Sequence, residues 1–232
     1  MEAIQVLYED NHLLAVNKPA GWLVQGDETG DEPLSNWAKA YIKSRYNKPG
    51  DVFLGVVHRI DRPVSGVVVM ARTSKALERM NRLFQERKIQ KTYWAICAQR
   101  PEPFNGHLAH YIAKDTTKNV AKAYDQLSRR STDADAKLGE LDYELLAEID
   151  GRCLLGVHPL TGRPHQIRVQ LAKINCPIVG DVKYGFPQPL HDGSIALHCL
   201  SLSFEHPVLK TPITISADPP RGHVWRPFLH LR

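Results

Sequence analysis

Val57-His58-Arg59-Ile60-Asp61-Arg62-Pro63-Val64-Ser65-Gly66 is a polar stretch set between two apolar runs. Val52, Phe53, Leu54, Val56 and Val57 lead into it and Val67, Val68, Val69 and Met70 leave it. The pattern predicts two buried strands that deliver one carboxylate and two arginines to a single turn. An aspartate in such a loop is most often a turn former or a helix cap. Any chemical role for Asp61 therefore has to be argued from the rest of the chain.

Upstream, Ile4 to Tyr8 and Leu13 to Val16 are short apolar runs joined by Glu9-Asp10-Asn11-His12, a hairpin signal, and Asn17-Lys18-Pro19-Ala20-Gly21 ends the second run. Asp31 or Glu32 can cap a helix with Pro33 in its first turn, and Leu34, Trp37, Tyr41 and Ile42 form its apolar stripe before Pro49-Gly50. Downstream, Thr73 or Ser74 can cap a helix reaching about Arg87. Its apolar side carries Leu77, Met80, Leu83 and Phe84, and its basic side Lys75, Arg79 and Arg82. Arg82 and Glu86 stand four apart and can pair, so that face reads either as solvated or as an RNA contact.

Gln90 to Ala98 reads as a strand and includes Lys91-Thr92-Tyr93-Trp94-Ala95; runs at 107–113, 119–124, 141–149 and 152–157 read as antiparallel strands. The polar segment 128–137 reads as a mobile loop. After a turn at 159–162, Pro164 suits the first turn of a short helix with Ile167, Leu171 and Ile174 inward and Arg168 pointing elsewhere. Strands follow at 195–204 and 212–216.

Composition bounds the function. Lysine and arginine outnumber aspartate and glutamate by 30 to 25, a net charge of +5 that suits a polyanionic partner without demanding one. Cys97, Cys153, Cys176 and Cys199 stand far apart, which suggests reduced buried thiols and neither a zinc knuckle nor a disulfide framework. No secretory pattern opens the sequence, and no apolar segment approaches the roughly 18 residues of a membrane span, so a soluble cytoplasmic protein is expected. Ser65 lacks the nucleophile elbow, and the phosphate-loop, dinucleotide and zinc-deaminase motifs are all missing. Eleven histidines include no pair at the spacing of a zinc protease. What remains is an aspartate among permanent cations. A guanidinium docked on it, such as that of Arg168, would keep it ionised for nucleophilic attack or proton abstraction; a structural Asp-Arg pair is the competing reading.

Several motifs in order complete the pattern. They are Asn17-Lys18-Pro19 with Gly21, His58-Arg59-Ile60-Asp61 with Ser65-Gly66, and Lys91-Thr92-Tyr93 with Ala95. Gly162-Arg163-Pro164-His165-Gln166-Ile167-Arg168 follows, then Pro177-Ile178 with Gly180-Asp181 and Tyr184-Gly185, and Leu197-His198 with Phe204, His206 and Pro207. Over nearly its whole length the chain resembles the RluA-type pseudouridine synthases, which cut the N1 glycosidic bond of selected uridines in RNA, turn the base and rejoin it through C5.

The resemblance implies one α/β (α+β) catalytic domain over 1–232, a large mixed, mainly antiparallel sheet with peripheral helices, and Asp61, Tyr93 and Arg168 meeting in a cleft across it. It implies that Asp61 is the catalytic aspartate, that Tyr93 packs on the target base and takes the C5 proton, and that Arg168 pairs with the aspartate. Arg59 would fill the gap left by the extruded base; His58, Arg163, His165 and Leu197 belong to the same motifs and are carried as substrate-side candidates. A uracil in a helix hides C1′ and C5, so flipping at a cost of a few kcal/mol is expected, offset by aromatic stacking and a cation. Addition at C6, attack at C1′ and removal of the C2′ proton all need an ionised, well-held carboxylate and stay open.

No cofactor or metal is implied. The expected partner is RNA, tRNA or rRNA, met by a monomer. Too little chain precedes Ile4 for the small RNA-binding domain that many relatives carry, so recognition is expected from the catalytic domain, with Lys75, Arg79, Arg82, Lys114, Lys118, Arg129 and Arg130 as phosphate contacts. Gln170 and Cys176 stand where relatives often have histidine. A catalytically silent RNA-binding or remodelling protein is one alternative. The other is an N-glycoside hydrolase, for which Asp181 is the available second acid.

Overall fold

The computed structural model describes residues 4–126 and 135–232. In chain order the elements are β1 (Gln5–Glu9), β2 (Leu13–Lys18), α1 (Leu34–Arg45), β3 (Gly55–Val56), β4 (Ser65–Ala71), α2 (Ser74–Gln85) and β5 (Gln90–Cys97). They continue with β6 (Asn105–Asp115), β7 (Val120–Tyr124), β8 (Lys137–Ile149), β9 (Arg152–Pro159), α3 (Gln166–Lys173), β10 (Leu197–Glu205) and β11 (Pro212–Ser216). The architecture is the expected one, a mainly antiparallel sheet with few helices. The chain forms two compact units, Met1–Gln90 with Cys199–Pro219 and Lys91–His198 with Pro220–Arg232.

In the first unit β1, β2 and β4 pair antiparallel and β11 pairs β10. Asp10 turns the first hairpin because its Oδ1 accepts the amides of His12 and Leu13, both at 2.7 Å. Leu13 to Val16 and all of β4 are buried, so these two strands make the core of the unit. Their register sets Lys18 opposite Gly66, which carries the end of the Asn17-Lys18-Pro19 motif to the end of the Asp61 loop.

The helices follow the sequence with two corrections. Thr73 caps α2 by accepting the Ala76 amide, while α1 starts after Pro33 with no side-chain cap, so neither Asp31 nor Glu32 serves it. Leu34, Ala38 and Ile42 are its buried stripe, and Trp37 and Tyr41 stack beside it. The strand expected over 52–57 shrinks to Gly55–Val56, and Phe53 is exposed. Gly55 lies so close to Leu77 of α2 that an added Cβ would collide with it.

In the second unit β5 pairs β9, β9 pairs β8, β8 pairs β6 and β6 pairs β7, all antiparallel. Ile96, Leu141, Leu154, Leu155 and Val157 are fully buried, and Leu171 brings α3 into this core. The short 3-10 turn Val182–Tyr184 follows α3. The four cysteines are buried thiols, none of them in a disulfide. Among the described residues no helix is long and apolar enough to cross a membrane.

Candidate active site

Asp61 begins a hydrogen-bonded turn, its carbonyl accepting the Val64 amide at 3.0 Å. Ile60 and Val64 are buried on either side and leave the aspartate half-buried between them. The loop is gripped through its main chain. The Arg62 carbonyl accepts from the Gly21 amide at 2.8 Å and from Lys18 Nζ at 3.2 Å. Lys18 Nζ also donates to the carbonyls of Trp22 at 2.8 Å and Pro19 at 3.0 Å. Lys18 is wholly buried, and burial pulls its pKa down to about 7, with the Asp61 charge working upward and that of Arg62 downward. The three carbonyl acceptors match the three N–H donors of the ammonium form, which burial opposes.

Two further contacts set the shape of the loop. His58 Nε2 accepts the Val69 amide at 3.0 Å, so that nitrogen carries no proton, and the ring stacks on Phe84 of α2 at 5.2 Å. Gly66 has φ +120, and a Cβ there would overlap the backbone of Cys199, so only glycine lets the chain enter β4 at this point.

The second unit holds Arg168 in a different way. It is 5% exposed and makes a two-point pair with Asp181, Nε to Oδ2 at 2.7 Å and Nη2 to Oδ1 at 2.9 Å. Its guanidinium carbon lies 5.0 Å from the Tyr184 ring centroid. The Tyr184 hydroxyl accepts the Ala121 amide at 2.8 Å and meets His165 Nδ1 at 2.7 Å. At the first position of α3 the buried Gln166 organises the preceding loop: its Oε1 accepts the Thr161 hydroxyl at 2.7 Å and the Arg163 amide at 2.9 Å, while its Nε2 donates to the Glu140 carbonyl. His165, with φ 53, takes the left-handed conformation at the start of the helix.

An ionic loop and an arginine cradle of this kind occur on a chain whose residues 12–173 match the family profile described as RNA pseudouridylate synthase. The chain belongs to this family. It is similar to the mitochondrial pseudouridylate synthase RPUSD4 of Xenopus tropicalis, 34% identical over 78% of this chain and 60% of that protein. It is also similar to tRNA pseudouridine synthase C of Yersinia pestis, 29% identical over 92% of this chain and 86% of that one. The solved structure of human RNA Pseudouridylate Synthase Domain Containing 4 superposes with a TM-score of 0.76 at 26% identity, covering 94% of this chain and 89% of that one. This chain thus spans about three fifths of the frog protein's length and most of the bacterial one.

Within this synthase fold the remaining sequence candidates fall as follows. Arg59 is exposed beside Asp61. Tyr93 is buried on β5 opposite Val157 of β9. Leu197 opens β10 and is buried, and Arg163 Nε donates to the Leu138 carbonyl at 2.8 Å. The basic side of α2 is less available than its sequence suggests. Arg79 donates to the Pro207 carbonyl at 2.9 Å, and Arg82 pairs with Glu78, not with Glu86 as expected. Arg129 and Arg130 lie outside the described residues. Lys18, Tyr184 and Asp181 all stand in the sequence motifs, but local pattern assigns no task to the first two and only that of a second acid to Asp181. Both Asp181 oxygens are bonded to Arg168, an arrangement that leaves no free second acid there for a hydrolase.

Proposed function

We propose that this chain is a working RNA pseudouridine synthase acting on uridines of tRNA or rRNA, with Asp61 as the reacting carboxylate. The observation that carries the reading is the clasp on the Asp61 turn. A carboxylate that must reach one atom of a flipped nucleotide has to be presented by a backbone that does not drift, and Lys18, Gly21 and Gly66 supply that constraint. In this reading Tyr93 offers an aromatic face to the extruded uracil, Arg168 supplies fixed positive charge, and Arg59, exposed next to Asp61, occupies the space the base leaves.

Incubating the purified protein with total tRNA and rRNA, followed by carbodiimide labelling and primer extension, tests it. Pseudouridine is expected with the native protein and none with Asp61→Asn, which is expected to bind RNA as before. Product from the Asn variant would remove Asp61 from the chemistry. Release of free uracil would turn the enzyme into a hydrolase.

A further inference from the structure

We propose that Tyr184 is a positioning residue that acts through Arg168, an inference that rests on reading the chain as a synthase. A bidentate carboxylate fixes two guanidinium nitrogens in one plane, yet the pair can still rock together out of that plane. The Tyr184 ring closes one face of the guanidinium, at 5.0 Å, and blocks that motion. Both restraints come from one turn: the Tyr184 amide donates to the Asp181 carbonyl at 3.0 Å, so carboxylate and ring move as a unit.

The ring is itself pinned. Its hydroxyl oxygen receives the Ala121 N–H from β7 and is hydrogen-bonded to Nδ1 of His165, the residue that opens the helix bearing Arg168. Tyr184 also packs against the apolar group of Ile112, Ala121 and Val169. Hydroxyl and ring therefore tie β7, the start of α3 and the 3-10 turn to one guanidinium. Stability alone would be served by any apolar side chain on that cluster. A flat ring beneath a doubly bonded guanidinium, anchored at its far end by two hydrogen bonds, serves direction.

The test is a cycle of Tyr184→Leu, Tyr184→Phe and Arg168→Lys. Misdirecting a catalytic group by a fraction of its contact distance costs on the order of 100-fold in rate. Tyr184→Leu is expected to lower kcat by about that factor while KM stays within about 3-fold. Tyr184→Phe keeps the face and is expected to recover most of it. In the Arg168→Lys background, where the planar group is gone, Tyr184→Leu should lower kcat by no more than about 3-fold further. An equal loss in both backgrounds, or no loss in the first, overturns the proposal. The Arg168 Nε–H signal in 15N NMR, assigned by its disappearance in Arg168→Lys, separates this from the functional reading. It should shift and exchange faster in Tyr184→Leu even if the native protein forms no pseudouridine, and an unchanged signal overturns the proposal in either case.

Discussion

The loop that presents Asp61 and the cradle that holds Arg168 solve the same problem by opposite means. Arg62, the residue after Asp61, is held through its backbone carbonyl, which receives a buried ammonium and a glycine amide. Arg168 is held through its side chain, by a carboxylate in its own plane and a ring across its face. A main-chain grip works for any side chain the turn can carry, so it fixes the backbone at Asp61 whatever that side chain does. A side-chain cradle depends on the chemical identity of every member, which suits a group whose charge and direction are the whole of its contribution. The two should therefore fail differently.

Removing the cradle's carboxylate is expected to have the largest effect. Asp181→Asn takes the two-point carboxylate away from the buried Arg168 guanidinium, and breaking a buried ion pair from one side destabilises proteins by about 3–5 kcal/mol. Urea unfolding should register this as a lower midpoint with an unchanged slope. Replacing both partners with apolar residues of similar size should restore much of the stability while abolishing product. If Asp181→Asn unfolds no sooner than the native protein, Arg168 is not held as described.

Lys18→Met is expected to have a smaller effect, because it frees three carbonyls but also removes a buried charge. A loss of about 1–3 kcal/mol is expected near neutral pH, set by the unmet acceptors. The pH dependence is the sharper measure. Lys18 titrates near 7 in the folded chain and near its ordinary 10.5 when unfolded, so between these values the unfolded chain binds more protons. Native stability relative to Lys18→Met should therefore rise with pH from about 7 to 10.5 and be lost as pH falls back through 7. A flat difference across that window would mean that Lys18 keeps its proton throughout and that burial is fully offset by its three acceptors.

How much of this could be read in advance follows from where each constraint lies along the chain. The strand that follows the Asp61 loop, the Thr73 cap and the helix starting near Pro164 are local patterns and were legible. The clasp was not, because Lys18 and Arg62 meet only once β2 and β4 adopt the register Lys18 opposite Gly66. A lysine at the end of an apolar run ordinarily signals an exposed strand end, and nothing local says that this one is wholly buried. Arg168 and Asp181 are 13 residues apart with a helix and a turn between them, so spacing could not pair them. The strand expected over 52–57 keeps only Gly55 and Val56, which pair with Ala71 and Met70 of β4, while Phe53 is exposed; a hydrophobic run does not say how much of it will find a partner strand.

The smallest expected effect is also the one that separates the two holding modes most cleanly. Arg62 looks important in sequence, a second arginine flanking the aspartate, and its side chain does make contacts: Nε donates to the Gly21 carbonyl at 3.0 Å and Nη2 meets Asp31 at 2.7 Å. Both ends of that ion pair are about half exposed, and such pairs contribute only about 0–1 kcal/mol. If the turn is held by its carbonyl, Arg62→Ala loses the side-chain bond to Gly21 but keeps the Lys18 ammonium and Gly21 amide on that carbonyl, so stability should change by less than about 1 kcal/mol and kcat by less than about 3-fold. Arg168→Ala, measured alongside it, should abolish product. Equal losses from the two arginines would mean that the Asp61 loop, too, is held by side-chain charge, and the division between a main-chain grip and a side-chain cradle would have to be abandoned.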